Sequence, residues 1–506
     1  MSRIYKPDKG IFPKFFQSFF ILTQYCDAYV KKKINFCQKT FFSIEIFSLK
    51  SLSNAKKNAT MFIRVVFCAI PLKATRNLLR RFFMINALTE FLKNSLTAYH
   101  ATENAKALLL DNGFKALSET DDWELKEGGK YFVERGGSAL IAFTVGDLNA
   151  FAYKIVASHT DSPALKVKEN PEMRAAAYTT LNVEKYGGGI WYSFFDRPLK
   201  IAGRIIKREN DRVFPETVAL PYLVTIPSVA VHQNRNVNDG FSVNPQVDLS
   251  PLYALGEEKD FLSELAGENE ILSHDLFLVN ADMPYSFGKN NEFLASPRID
   301  NLTSVYASLE SLLAHTPSGG ICVAACLDNE EVGSRTLQGA GSDFLENVLR
   351  RIAYALRFDD NEYYKALASS FLFSVDNAHA VHPNHPEKSD PTNKAVLGGG
   401  IVIKSHANKA YTTDGLSSAV AKTVFDHAGV AYQSFFNRSD AQSGSTLGAI
   451  SLAHVSVMSV DIGIAQLAMH SANECFAKSD YQAMVKALTE FYSSEINVDE
   501  TGVNVR

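Results

Sequence analysis

Ile321-Cys322-Val323-Ala324-Ala325-Cys326-Leu327 is an unbroken apolar run of strand length, and Asp328-Asn329-Glu330-Glu331-Val332-Gly333 follows it directly. A strand that is apolar at every position, not at alternate ones, is covered on both faces, which is the habit of parallel sheets. Helix-like spacing flanks it, Leu302–Ala314 before and Phe344–Tyr354 after, and a second apolar run, Phe371–Val375, ends on Asp376. This alternation predicts an α/β domain with a mixed, largely parallel sheet flanked by helices. Further strands are expected at Ala139–Val145 and Ala152–Ser158, and one helix over 87–112 with Asn112-Gly113 as its stop. Between 175 and 288 the text changes to short β-like runs, such as Ile201–Ile206, Val218–Leu223 and Leu276–Val279, with frequent Gly and Pro. The expected organisation is therefore an α/β domain made of 84–174 and 289–506, interrupted by a β-rich insertion at 175–288 and preceded by an atypical extension, 1–83.

The chain has 506 residues and a formal charge of −4. That balance hides an asymmetry. Residues 1–83 hold three acids (Asp8, Asp27, Glu45) against 16 Lys and Arg, leaving 35 basic and 52 acidic residues from Met84 onward. An acidic body argues against nucleic acid as a partner, since phosphate binding needs a basic surface. The basic extension reads as the product of a start placed too early, with Met84 as the true one, or as a targeting segment or surface arm. Its apolar runs, Phe15–Leu22 and Met61–Leu72, are shorter than the roughly 20 residues that span a bilayer, so no membrane partner is expected. Cys26, Cys37 and Cys68 lie in the extension, and Cys322, Cys326 and Cys475 in the body. So few cysteines make no disulfide framework and point to a reducing, cytoplasmic address.

Five apolar runs end in, or lead to, metal-binding side chains: His159-Thr160-Asp161, Asp300-Asn301, Glu330-Glu331, Asp376 and His470-Ser471. Ligands in open α/β sheets bind beyond the carboxyl ends of strands, so these distant positions can converge. Two histidines with several carboxylates suit a pair of divalent ions, zinc first, with manganese or cobalt as alternatives. Singly, each residue reads as a turn, a cap or a satisfied core histidine; the combination carries the signal.

The segments SHTDSP (158–163), SPRIDNL (296–302), DNEEVGS (328–334), DNAHAVHPN (376–384) and AMHS (468–471) resemble the aspartyl aminopeptidases, co-catalytic dizinc exopeptidases, from about Met84 to the C-terminus. The resemblance implies a metalloaminopeptidase that releases N-terminal Asp or Glu from peptides. It assigns His159, Asp300 and Asp376 to one zinc and Asp300, Glu331 and His470 to the other, with Asp300 bridging. Asp161 would orient His159, and Glu330 would act as general base, taking the proton of the attacking water and returning it to the leaving amine. By the same likeness Lys404 is the cation that receives the acidic side chain, Tyr411 and His382 line the substrate pocket, and His232 reaches into a neighbouring subunit. The insertion resembles a dimerisation domain, and the family's assembly implies a homo-oligomer, a dodecamer.

Other hydrolase signatures are absent: there is no H-E-x-x-H, and Gly444-Ser445-Thr446-Leu447-Gly448 puts serine one place from a nucleophile elbow. The glycine runs at 187–189 and 398–400 read as turns. A neutral aminopeptidase or a deacylase with the same metals, and a catalytically inactive scaffold, remain the alternative functions.

Overall fold

The computed structural model describes residues 72–506, apart from 259–260, 267–268, 442–443, 445 and 500. The readings that concern residues 1–71, among them the three N-terminal cysteines and Phe15–Leu22, lie outside the described residues. Among those described, no helix is long and apolar enough to cross a membrane.

The chain runs through helices α1 (Leu72–Asn94) and α2 (Ala98–Asp111) into strands β1 (Lys115–Leu117), β2 (Lys130–Arg135), β3 (Ala139–Val145) and β4 (Tyr153–His159). It then leaves for a separate antiparallel sheet: β5 (Ala164–Ala175), β6 (Tyr178–Tyr186), β7 (Leu199–Glu209), β8 (Arg212–Val224), β9 (Leu252–Leu255) and β10 (Glu270–Asn280), ordered β8-β7-β10-β5-β6-β9. The first sheet resumes with β11 (Tyr285–Phe287), β12 (Phe293–Ser296), helix α3 (Ile299–Ala314), β13 (Ile321–Leu327), helix α4 (Phe344–Ala355) and β14 (Phe371–Val375). It ends with β15 (Ala378–His379), β16 (Ile401–Lys404), helix α5 (Gly415–Ala428), β17 (Tyr432–Phe435), β18 (Met458–Leu467), β19 (Glu474–Ala477) and helix α6 (Lys478–Ser493). The inserted sheet thus opens at Ala164, ahead of the boundary expected at 175, because β5 is a long strand that starts three residues after Asp161.

The first sheet is mixed, and its centre, β13-β4-β14-β18, is wholly parallel. Alternation explains why the central runs look uniformly apolar. Cys322, Ala324 and Cys326 of β13 face one core with Phe373 and Phe491, while Ile321, Val323 and Ala325 face the other with Phe143 and Phe344. Cys322 and Cys326 are free, buried thiols acting as small apolar residues, as their setting suggested. Fully buried phenylalanines such as Phe373 are each worth about 3–5 kcal/mol against truncation to alanine.

The single helix expected over 87–112 is two helices, broken at 95–97. Periodicity alone could not show this break, because its cause is a distant side chain. The guanidinium of buried Arg298 donates to Ser95 O (3.0 Å) and Leu92 O (3.3 Å), occupying carbonyls that a continuing helix would use. Thr97 then restarts the chain in extended geometry as the N-cap of α2, and Asn112-Gly113 ends that helix as read.

Candidate metal centre

Parallel strands deliver their carboxyl ends to one edge of a sheet. Here β4 ends on His159, β13 on the turn bearing Glu330 and Glu331, and β14 on Asp376. Asp300 opens α3 beside them, and His470 lies on the turn after β18. Several of these turns are strained. Arg298, Asn329, Ala468 and His470 all hold left-handed φ values (60°, 60°, 57° and 66°) without being glycine. Non-glycine residues persist in that region when surrounding contacts over-determine them, as happens at functional sites.

The side chains converge closely. His159 Nε2 lies 3.4 Å from Asp300 Oδ1 and 3.6 Å from Asp376 Oδ1. His470 Nε2 lies 3.6 Å from Asp300 Oδ2 and 3.3 Å from Glu331 Oε1. Asp300 therefore faces both histidines through its two oxygens. His159, Asp300 and Glu331 can each offer a ligand atom within 4.8 Å of the others.

Both histidines are oriented from behind. His159 Nδ1 donates towards Asp161, whose main-chain oxygen is at 3.1 Å and whose Oδ1 is at 3.2 Å. His470 Nδ1 donates to Gly188 O at 3.0 Å. In each ring this leaves Nε2 for the carboxylates, the arrangement a metal-ligating imidazole requires. The Asp161 carboxylate also accepts the main-chain N–H of Glu330 and of Glu331, both at 3.1 Å, and the Tyr186 hydroxyl at 2.8 Å.

The electrostatics ask for added positive charge. Burial pushes the Glu331 and Glu474 carboxyls far above the carboxylate range, with Asp300 adding to it, and pushes Glu330 up to about 8, helped by Asp376, Asp161 and Asp300. Burial alone would lower His159, yet the nearby carboxylates of Asp161, Asp300 and Asp376 raise it well above an ordinary histidine. A bound cation would answer the same demand for positive charge. Asp300 Oδ1 and Glu331 Oε1 are buried without any hydrogen-bond partner, a costly state that a divalent ion would relieve. Imidazole plus carboxylate donors fit zinc.

Lys404, 2% exposed, gives its ammonium to Asp376 Oδ2 (3.1 Å) and Asn377 O (3.2 Å), and lies 5.2 Å from the Tyr411 ring centre. Burial opposes its charge, but Asp376 raises its pKa above the usual lysine value, so it stays cationic. The structure thus gathers His159, Asp161, Asp300, Glu330, Glu331, Asp376, Lys404, Tyr411 and His470 into one region. His382 instead sits exposed beside His385, ring centres 5.2 Å apart, and His232 is exposed in the segment joining β8 to β9.

Two groups escaped the sequence reading. Glu474, buried on β19, accepts the main-chain N–H of Asp300 (3.0 Å) and of His470 (2.6 Å), tying together two candidate ligands far apart in the chain. A glutamate four residues after His470 carries no local signal of that role. The Gly187–Gly189 run, read as a plain turn, is packed on the centre: a Cβ at Gly187 would lie 3.1 Å from Glu331 Cβ.

Known proteins resemble this chain along the same length. A "Probable M18 family aminopeptidase 2" of Clostridium acetobutylicum is 44% identical over 423 residues, covering 80% of this chain and 98% of that protein. Among solved structures, a chain of the Ape4 and Nbr1 complex superposes with a TM-score of 0.79 at 33% identity, over 82% of this chain and 86% of that one. The S. cerevisiae mApe1 dodecamer matches with a TM-score of 0.69 at 25% identity, over 80% and 95%. The model of the aminopeptidase I zinc metalloproteases (M18) matches residues 91–492, a span that contains all the converging side chains described above; the chain belongs to that family and is a metal-dependent aminopeptidase.

Proposed function

We propose that the protein removes N-terminal Asp and Glu from peptides at a two-zinc centre. His159, Asp300 and Asp376 would hold one ion and Asp300, Glu331 and His470 the other. The observation that carries the two-ion reading is the placement of Asp300, one oxygen towards each histidine. Bound zinc supplies Lewis acidity to the scissile carbonyl and to the attacking water. The chain's own residues do the rest. Glu330 is fixed beside the ligands by its N–H bond to Asp161, and its carboxylate makes no hydrogen bond among the described residues, so it can take the water's proton and return it to the leaving amine. Asp161 and Gly188 hold the two imidazoles in the ligating tautomer.

The acidic preference rests on Lys404. An ammonium has three donors, and two are used here, leaving one for an entering carboxylate in a dry setting where a charge-assisted bond is strong. Tyr411 packs against Lys404 and would shape the pocket wall, while His382 is at most a rim contact. The commitment of Lys404 to Asp376 favours a second reading, in which the lysine serves the metal ligand and the enzyme takes neutral N-termini.

Assembly belongs to the same proposal. A solved relative is a dodecamer, and Val229, Val231 and Phe241, close to His232, are exposed apolar side chains that a second copy would cover. The inserted sheet would then serve as the dimerisation domain, with His232 completing a neighbour's pocket. Free buried thiols at Cys322 and Cys326 suit a cytoplasmic address.

A profile of aminoacyl substrates tests the reading. Chelator-sensitive release of Asp and Glu far faster than Leu, Lys or Ala is expected. Chelator-sensitive release of neutral residues would keep the metals and discard the acidic pocket.

A further inference from the structure

The inserted sheet leaves the first sheet at the metal centre and returns to it. β5 starts three residues after Asp161, and its antiparallel partner β6 runs back until Tyr186 stands opposite Ala164. That register places the Tyr186 hydroxyl against the carboxylate it has just left behind: Tyr186 donates to Asp161 Oδ2 at 2.8 Å and accepts from Asn329 Nδ2 at 2.8 Å. Asn329 is itself held by Thr336 Oγ1, 2.8 Å from its Oδ1. The next residues continue along the centre. Gly187 has a φ of +75° and passes so near Glu331 that a Cβ would have to push it aside; Gly188 O receives His470 Nδ1–H; Ile190 N donates to His470 O at 2.8 Å.

We infer that the 186–190 turn of the inserted sheet is a working part of the metal centre, with Tyr186 a positioning residue that sets zinc affinity through Asp161. Asp161 has two oxygens to serve the His159 ring, the N–H of Glu330, the N–H of Glu331 and the Tyr186 hydroxyl. The hydroxyl and the Glu331 N–H share Oδ2, which turns Oδ1 towards His159 and Glu330. Without the hydroxyl the carboxylate loses the bond that fixes its rotation, and His159, Glu330 and Glu331 loosen together. Asn329, left without its acceptor, frees the turn bearing both glutamates. Outer partners of this kind are worth roughly 10- to 100-fold in metal affinity. The Tyr186 hydroxyl is bonded to Asp161 and Asn329 and to none of the proposed ligands, so its effect passes through those two residues.

This inference rests on the ligand set proposed above, and one experiment separates the two. Zinc dissociation constants are measured by chelator competition on the full chain for wild type, Tyr186→Phe, Gly187→Ala and His470→Ala, together with the thermal midpoint of each zinc-free protein. Phenylalanine keeps the ring and its contact with Phe277. The expected result is a zinc dissociation constant raised roughly 10- to 100-fold in Tyr186→Phe, a zinc-free midpoint equal to wild type, and kcat reduced with little change in KM. Gly187→Ala should weaken zinc as well, by displacing Glu331. Unchanged zinc affinity in Tyr186→Phe, with His470→Ala losing zinc, would overturn this inference alone. A zinc-free midpoint that falls in step with zinc affinity would also overturn it, reducing Tyr186 to a packing residue. Full zinc stoichiometry and affinity in His470→Ala would instead overturn the ligand set.

Discussion

Asp161 accepts the main-chain N–H of Glu331 at 3.1 Å, so a residue two places beyond the end of β4 fixes a candidate ligand four places beyond the end of β13. The same carboxylate takes the N–H of Glu330 and lies behind the ring of His159. One side chain thus sets the mutual placement of the proposed base, a candidate ligand and an imidazole. In Asp161→Asn the amide must turn an N–H towards one of those N–H groups or towards the ring. Zinc affinity is expected to fall roughly 10- to 100-fold, measured by chelator competition, with kcat reduced in parallel. Wild-type affinity in this variant would remove Asp161 from that role.

Glu330→Gln should separate binding from chemistry. The main-chain bond to Asp161 is retained, so zinc content should match wild type, while turnover falls by about 100-fold or more through loss of the proton acceptor. Metal analysis alongside initial rates checks both halves. Retained turnover excludes Glu330 as the base.

Lys404→Ala removes the cation facing Asp376 and the donor proposed for acidic substrates. The ratio of kcat/KM for Asp over Leu should collapse, and zinc should bind more weakly as Asp376 loses its partner. Survival of the Asp preference would point to the reading in which Lys404 serves only the metal ligand.

Acid sensitivity has a source away from the centre. Burial lowers His100 to about 4, helped by Arg298 and Lys200, and its Nδ1 lies 2.9 Å from Thr97 Oγ1. Above an unfolded value of about 6.5 the ring is neutral in both states and its contribution is intact. Between about 6.5 and 4 the unfolded chain takes the proton first, so stability falls as pH falls, on the order of 1–3 kcal/mol in total. Denaturant melts of the zinc-free protein at pH 7 and pH 4.5 should show a smaller difference for His100→Gln than for wild type. An equal difference would mean that His100 does not contribute.

The central strands were legible because covering both faces leaves a local mark. Ile321–Leu327 and Phe371–Val375 read as strands from composition alone, and the fold shows them with those limits. The side chains that now converge were legible for a related reason: each ends or follows a run whose apolar pattern is local, and the edge of a parallel sheet gathers such ends. Three things left no such mark. The break between α1 and α2 depends on Arg298, about two hundred residues further on, and no propensity at 95–97 announces it. Glu474 holds Asp300 and His470 through main-chain N–H groups, and any sequence supplies those groups equally. The Gly187–Gly189 run looks like any turn until the β5–β6 excursion returns it to Glu331 and His470.

The sequence by itself therefore determined the α/β class, the central strands and the candidate ligand side chains, because burial on both faces and the order of strand ends are written in local pattern. Only the tertiary structure decided which groups hold those side chains in place, and that Lys404 is already paired with Asp376. Those contacts join backbone groups and buried charges across long separations, where geometry, not residue type, selects the partner.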